Sequence, residues 1–411
     1  VLRQFAAVRN VPIAHHLVGP YPQPGSSFVA APLFKHLFPV RDGVYAIDTI
    51  RAAAIVLVVL YHVIGSDPAA GLEIAPPHPL RSLADILNEI HMPVFAAISG
   101  LVYAMKPASW SGLLPFLWKK LLRLAVPGMV ATITFAVALQ FVATGFTLPS
   151  PLWHLAVYPF VHFWFLQALM VVLTHTAIAD ALTRGHSAWP TLLLGSAALS
   201  TGFLPGTSLM AFNGAVWLLP YFALGQLLWR YRSRVEERKG FICILAVLGI
   251  AAGLGADILQ INASGGVNPH HSAPENFLLS MGVCLGIVAI PALGWIAWLA
   301  APSFVIYLYH PLATSATRRL LAALGIEHNG IHIVLGVIAG VALPLVIYVA
   351  ATQHFLGERI VLGQNDRKLN DIKLPKTYTS YCNVAHQPIP LSIRQPALLR
   401  RSRCEGEADG P

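Results

Sequence analysis

Inside the apolar run Ile47 to Gly65 (IDTIRAAAIVLVVLYHVIG) stand an arginine, Arg51, and a histidine, His62, eleven residues apart. A run of this kind fits a helix crossing the ~30 Å hydrocarbon core of a bilayer. Eleven residues is almost three helical turns, so the two side chains fall on one face, roughly 16 Å apart along the axis. A fixed cation and a titratable imidazole in a membrane span are costly, and such residues usually line a polar cavity. One helix therefore points both to the fold class and to a site.

Composition excludes a soluble domain. The chain is 56% hydrophobic and 11% charged, where soluble domains carry about a quarter charged residues. The formal net charge of +9 is local. Much of it sits in the block Arg230 to Lys239 (RYRSRVEERK) and in the segment Arg394 to Arg403. In a membrane protein such blocks report orientation before they report an anionic partner. The basic tail comes with no aromatic platform, so nucleic acid is not an expected partner. Of the four cysteines, Cys243 and Cys284 lie in apolar runs and Cys382 and Cys404 in the tail. None has metal-ligand spacing, and no metal is expected. Neither a glycine-rich phosphate loop nor a G-x-S-x-G elbow stands out.

Hydrophobic patterning predicts an all-α polytopic membrane protein, a bundle of about ten transmembrane helices. They fall near 45–65, 86–105, 116–143, 152–180, 188–204, 211–230, 240–260, 275–298, 302–322 and 331–356. Pro127 and Pro220 lie inside apolar runs and are expected to kink or interrupt their helices. Residues 66–85 and 261–274 read as loops, the first proline-rich and the second rich in Gly, Asn and His. Residues 1–40 read as a poorly ordered extension without the features of a signal peptide. Residues 41–360 form the membrane domain, and 361–411 a polar, basic, disordered tail. Loop 230–239, Lys106, Lys119, Lys120 and the tail share one side on this topology, which the positive-inside rule makes cytoplasmic together with both termini. Arg318 and Arg319 dissent, and are expected to snorkel to the opposite interface.

Four segments carry candidate chemistry. Asp48 and Arg51 form an i,i+3 pair that can partly neutralise itself, on a stripe Arg51–Ile55–Val58–His62. His91-Met92-Pro93 leads into Ser99-Gly100, small enough for a close helix crossing. Phe163-Trp164-Phe165-Leu166 has the character of an interfacial belt, and Tyr307-Leu308-Tyr309-His310-Pro311 places another histidine within a span. Each alone also reads as packing. A secondary transporter fits many spans with intramembrane charges equally well, although no two halves show matching interruptions.

In order, these segments resemble the membrane acyltransferase-3 family, over about residues 40–350. The resemblance rests on Asp48-x-x-Arg51 with ten residues to His62, His91-x-Pro93 leading to Ser99-Gly100, the basic start of the third helix, Trp164-Phe165-Leu166, and Tyr307-Leu308 with His310-Pro311. It implies a bacterial inner-membrane enzyme that passes an acyl group, acetyl or succinyl, from cytoplasmic acyl-CoA to a hydroxyl of a cell-envelope carbohydrate. His62 would be general base or acyl carrier, with Arg51 and Asp48 completing the catalytic group. Lys119, Lys120 and Arg123 would hold the anionic end of CoA, and His91, Ser99, Trp164, Tyr307 and His310 would support substrate. Two departures are visible. The family's Arg-x-x-Arg appears as Lys120-Leu121-Leu122-Arg123, losing one bidentate fork, and its Asp-Gly-Leu-Arg-Gly as Asp48-Thr49-Ile50-Arg51-Ala52.

Overall fold

The computed structural model describes residues 46–142, 146–202 and 208–364. The segment 1–40 and all of the tail beyond residue 364 therefore lie outside the described residues. What is described is helical, with no strand among the described residues. The principal helices are α1 (Ile47–Ile64), α2 (Pro79–Met105), α3 (Leu113–Val142), α4 (Trp164–Thr183), α5 (Ala188–Ser200), α6 (Phe212–Arg230), α7 (Lys239–Ser264), α8 (Pro274–Gly286), α9 (Ser303–Ala323) and α10 (Asn329–Ala351).

Seven helices among the described residues are long and apolar enough to span a membrane, or eight if α8 and the segment after it count as one bent span. The expected ten spans are not confirmed. α5 and α8 have 13 residues each, short of the ~20 a span needs. α8 is followed by Gly294–Ala300 at an angle of 115°, and Pro291 in the connection explains why no helix continues through it. α9 is long enough but carries His310, Arg318 and Arg319.

Several expected boundaries move for local reasons. α2 begins inside the expected loop 66–85 because His78 caps it: its Nδ1 accepts from the Leu80 amide at 3.1 Å, and Pro79 occupies the first turn where no donor is lost. The helix expected over 152–180 is broken, with a short turn at His154–Val157 and a 3-10 turn at Val161–Phe163 before α4. Pro159 separates them, and Val161 has a φ of 46°. Pro127 does interrupt α3, which widens into a π turn at Leu121–Ala125. A proline at 127 cannot donate to the carbonyl of Arg123, so the regular i→i−4 ladder fails there. Pro220, by contrast, sits inside a continuous α6.

Helices in lipid gain little from apolar burial against one another, so small residues that permit close approach decide the packing. α2 and α6 cross reciprocally: a Cβ on Gly100 would lie 1.9 Å from the Phe222 carbonyl oxygen, and one on Gly225 would lie 1.9 Å from that of Ala97. α10 meets α1 through Gly336 on Val63 and Gly340 on Val59, which fixes the helix bearing His62. Asp180 of α4 pairs with Arg230 of α6 and accepts from Ser187 at the start of α5. The outer faces of α7 and α10, with Val247, Leu259, Val334 and Val346 exposed, are left for lipid.

Candidate functional site

α1 delivers the stripe the spacing predicts. Ile55 and Val58 are fully buried between Arg51 and His62, which are each half-buried. Arg51 faces Asp48 at 4.0 Å. Near the other end, His62 meets two further imidazoles. Its ring centroid is 5.0 Å from that of His310 and 5.9 Å from that of His162, and the latter two are 5.5 Å apart. Tyr61 stands between His62 (4.8 Å) and His91 (4.9 Å).

Prolines help to set this geometry. Pro311 has no N–H, so the carbonyl of Tyr307 lacks its helical donor. His310 Nδ1 lies 3.0 Å from that oxygen and 2.9 Å from the oxygen of Ile306. Carbonyls only accept, so Nδ1 carries the hydrogen and Nε2 holds a lone pair. Nε2 is buried without a partner among the described residues. His91 likewise turns Nδ1 onto the carbonyl of Leu87. The carbonyl of Glu89, bereft of a donor by Pro93, accepts from Ser280 Oγ at 2.6 Å. His162 faces the Leu308 carbonyl with Nε2 at 3.4 Å, and its backbone carbonyl accepts from the Tyr307 hydroxyl. Its Nδ1 is buried and unpartnered among the described residues.

His62 also lines a cavity of about 150 Å³, whose other walls include Ser66, Phe135, Thr314, Ser315, Arg318 and His332. Arg318 pairs with Glu73 at 2.6 Å, and so ties α9 to the loop after α1. Arg318 thus borders the cavity, and Arg319 donates to the carbonyl of Val142 at 2.9 Å.

The expected site residues thus divide. His62, His310, Tyr307 and His91 gather around one cluster. Arg51 and Asp48 stand roughly 16 Å down α1, the rise of eleven residues. Lys119 and Arg123 are exposed and Lys120 half-buried at the start of α3, with Lys120 Nζ 5.5 Å from the Phe116 ring. Twelve residues further along α3, Phe135 contacts His162 at 5.6 Å. Two helices therefore connect basic residues to the histidine cluster. Ser99 lies on α2 next to Gly100, and no hydrogen bond or ring contact joins it to the cluster among the described residues. Trp164 turns away from the cluster and stacks on Trp217 at 5.7 Å.

Sequence reasoning missed His162, Arg318 as a cavity residue, and His332. His162 had a signal, since it directly precedes the aromatic run at 163–166. No group of three or more His, Cys, Asp or Glu suited to a metal ion occurs among the described residues. Neither curated proteins nor solved structures give a match. A family model, an acyltransferase domain, does match, over residues 44–349. That span holds α1 to α9 and nearly all of α10, with every residue of the cluster. The chain belongs to the acyltransferase-3 family.

Proposed function

We propose that the protein is an acyl-CoA-dependent O-acyltransferase of the bacterial inner membrane, moving an acetyl or succinyl group to a hydroxyl of a cell-envelope carbohydrate. The observation that carries this reading is the position of His62. It borders a cavity on one side and two imidazoles on the other, and one of those, His310, holds an unprotonated, unpartnered nitrogen.

In the reaction, the acceptor hydroxyl attacks the thioester carbonyl. His62 takes the hydroxyl proton, the C–S bond breaks, and that proton leaves with the CoA thiolate. General base catalysis of this kind contributes typically ~10²–10⁴-fold. His310 and His162 pack against the His62 ring, at centroid distances of 5.0 and 5.9 Å, and hold it at the cavity wall. If donor and acceptor approach from opposite faces, His62 instead carries the acyl group between them. Arg51, Lys119, Lys120 and Arg123 lie a helix length away, with the basic end facing the cytoplasm. There they hold the phosphates of CoA by charge-assisted hydrogen bonds. The acceptor enters by the cavity between Ser66 and Arg318.

Membranes bearing the wild-type chain or His62→Ala, supplied with labelled acetyl-CoA and succinyl-CoA, test this. Label in a glycan with wild type alone supports it. Equal label in both removes His62 from the chemistry.

A further inference from the structure

A second pocket, of about 240 Å³, is lined by Pro159, Trp164, Asn213, Gly214, Trp217 and His271, with Ser208 and Ala211. Its walls are aromatic planes. The His271 ring lies flat on Trp217, centroids 3.6 Å apart and 7° from parallel, and Trp164 stacks on Trp217 at 26°. Gly214 permits this, because a Cβ there would sit 2.6 Å from the Trp164 ring. The polar equipment is sparse and specific. Asn213 Oδ1 is buried and has no hydrogen-bond partner among the described residues. His271 Nδ1 is held by Glu89 at 2.7 and 2.9 Å. Glu89 itself is 2% exposed. The loop bearing His271 is pinned by Asn276 Nδ2, which donates to the carbonyls of Asn268 (2.8 Å) and His270 (3.0 Å).

We infer that this pocket is a binding subsite for one ring of a neutral saccharide. Trp217 is buried under its neighbours, so the partly exposed rings of Trp164 and His271 take the apolar face of a sugar ring, and a mostly apolar pocket with a few placed polar groups is the usual small-molecule site. Asn213 Oδ1 calls for a hydroxyl donor, because a buried acceptor without a partner is costly. The nitrogen of His271 opposite its Glu89 contact supplies a second polar contact. An anion is disfavoured, since the pocket has no arginine or lysine among its described lining residues and has the Glu89 carboxylate behind His271. The segment Val161–Trp164 links the two sites, with His162 in the histidine cluster and Trp164 in the pocket. The inference rests on the proposed carbohydrate acceptor and deepens it, by giving the acceptor chain a second point of attachment.

The full chain in lipid nanodiscs, dialysed to equilibrium against radiolabelled maltotriose, cellotriose and laminaritriose, tests it. Radiolabelled choline and inorganic phosphate serve as comparisons. Saturable retention of at least one trisaccharide is expected. It should weaken about tenfold or more in Trp164→Ala and in His271→Gln, the loss of one aromatic or hydrogen-bonded contact. Trp164→Phe, which keeps a ring, should keep the retention. Retention of none of the three, retention indifferent to both variants, or choline held in their place would overturn the inference. Acyl-CoA consumption is measured separately on the same preparation. Trisaccharide retention that depends on Trp164 supports the pocket even where no acyl group is transferred.

Discussion

His310 Nδ1 lies 3.0 Å from the carbonyl of Tyr307, the oxygen that Pro311 leaves without its helical donor. A side chain thereby replaces a missing backbone N–H. The replacement fixes the imidazole's tautomer and turns Nε2 toward the interior, beside His62. The proline after the histidine is thus part of how the histidine is aimed.

That relationship predicts the effect of Pro311→Ala. The new amide N–H competes for the Tyr307 carbonyl and releases His310 from its orientation. The turnover number should fall roughly tenfold, equivalent to about 1.4 kcal/mol of barrier, while the KM for acyl-CoA stays unchanged. Steady-state kinetics on both substrates checks it.

The α2–α6 crossing should tolerate no side chain at its centre. Gly100→Val forces two backbones apart, because even a Cβ would sit 1.9 Å from the Phe222 oxygen. Overpacking costs typically ~1–3 kcal/mol where side chains can yield, and here the obstacle is backbone, so more is expected. Thermal unfolding in detergent should drop clearly for Gly100→Val. Ser99→Ala should leave both unfolding and activity near wild type.

Arg318 and Glu73 join α9 to the loop after α1 at the cavity that His62 borders. Both are substantially exposed, and such pairs contribute about 1 kcal/mol or less. Glu73→Gln should therefore change the acceptor KM by no more than about fivefold, and should leave the acyl-CoA KM untouched. A larger effect on the donor would place the donor, not the acceptor, in this cavity.

At the opposite end, the double variant Lys120→Gln, Arg123→Gln should raise the KM for acyl-CoA about tenfold, the loss of charge-assisted contacts to phosphate. It should also flatten the dependence of that KM on salt, because screening acts on charge pairs. Titration of acyl-CoA at two ionic strengths checks both.

Much of this arrangement is legible in the residues. Arg51 and His62 share a stripe because helical periodicity alone puts them there, and the family resemblance carried His310 and Tyr307 to the same region. What periodicity does not give is long-range proximity. His162 is 100 residues from His62, and its place in the cluster depends on the broken turn before α4, where the sequence read as one continuous helix. Trp164 reads as a belt residue by composition, and only the α4–α6 packing through Gly214 shows it stacked on Trp217. The count of about ten spans is not confirmed, because α5 and α8 are short and α9 carries Arg318 and Arg319, and an apolar run in the sequence does not show where its helix ends. Glu89 and His271 pair across 182 residues, and no local pattern announces it.

The most direct measurement of the central claim follows label from acyl-CoA into a glycan, with wild-type and His62→Ala chains inserted in membranes to equal levels. The account predicts transfer by the wild type, and a loss of about 10²-fold or more in the variant. Undiminished transfer by His62→Ala would contradict it.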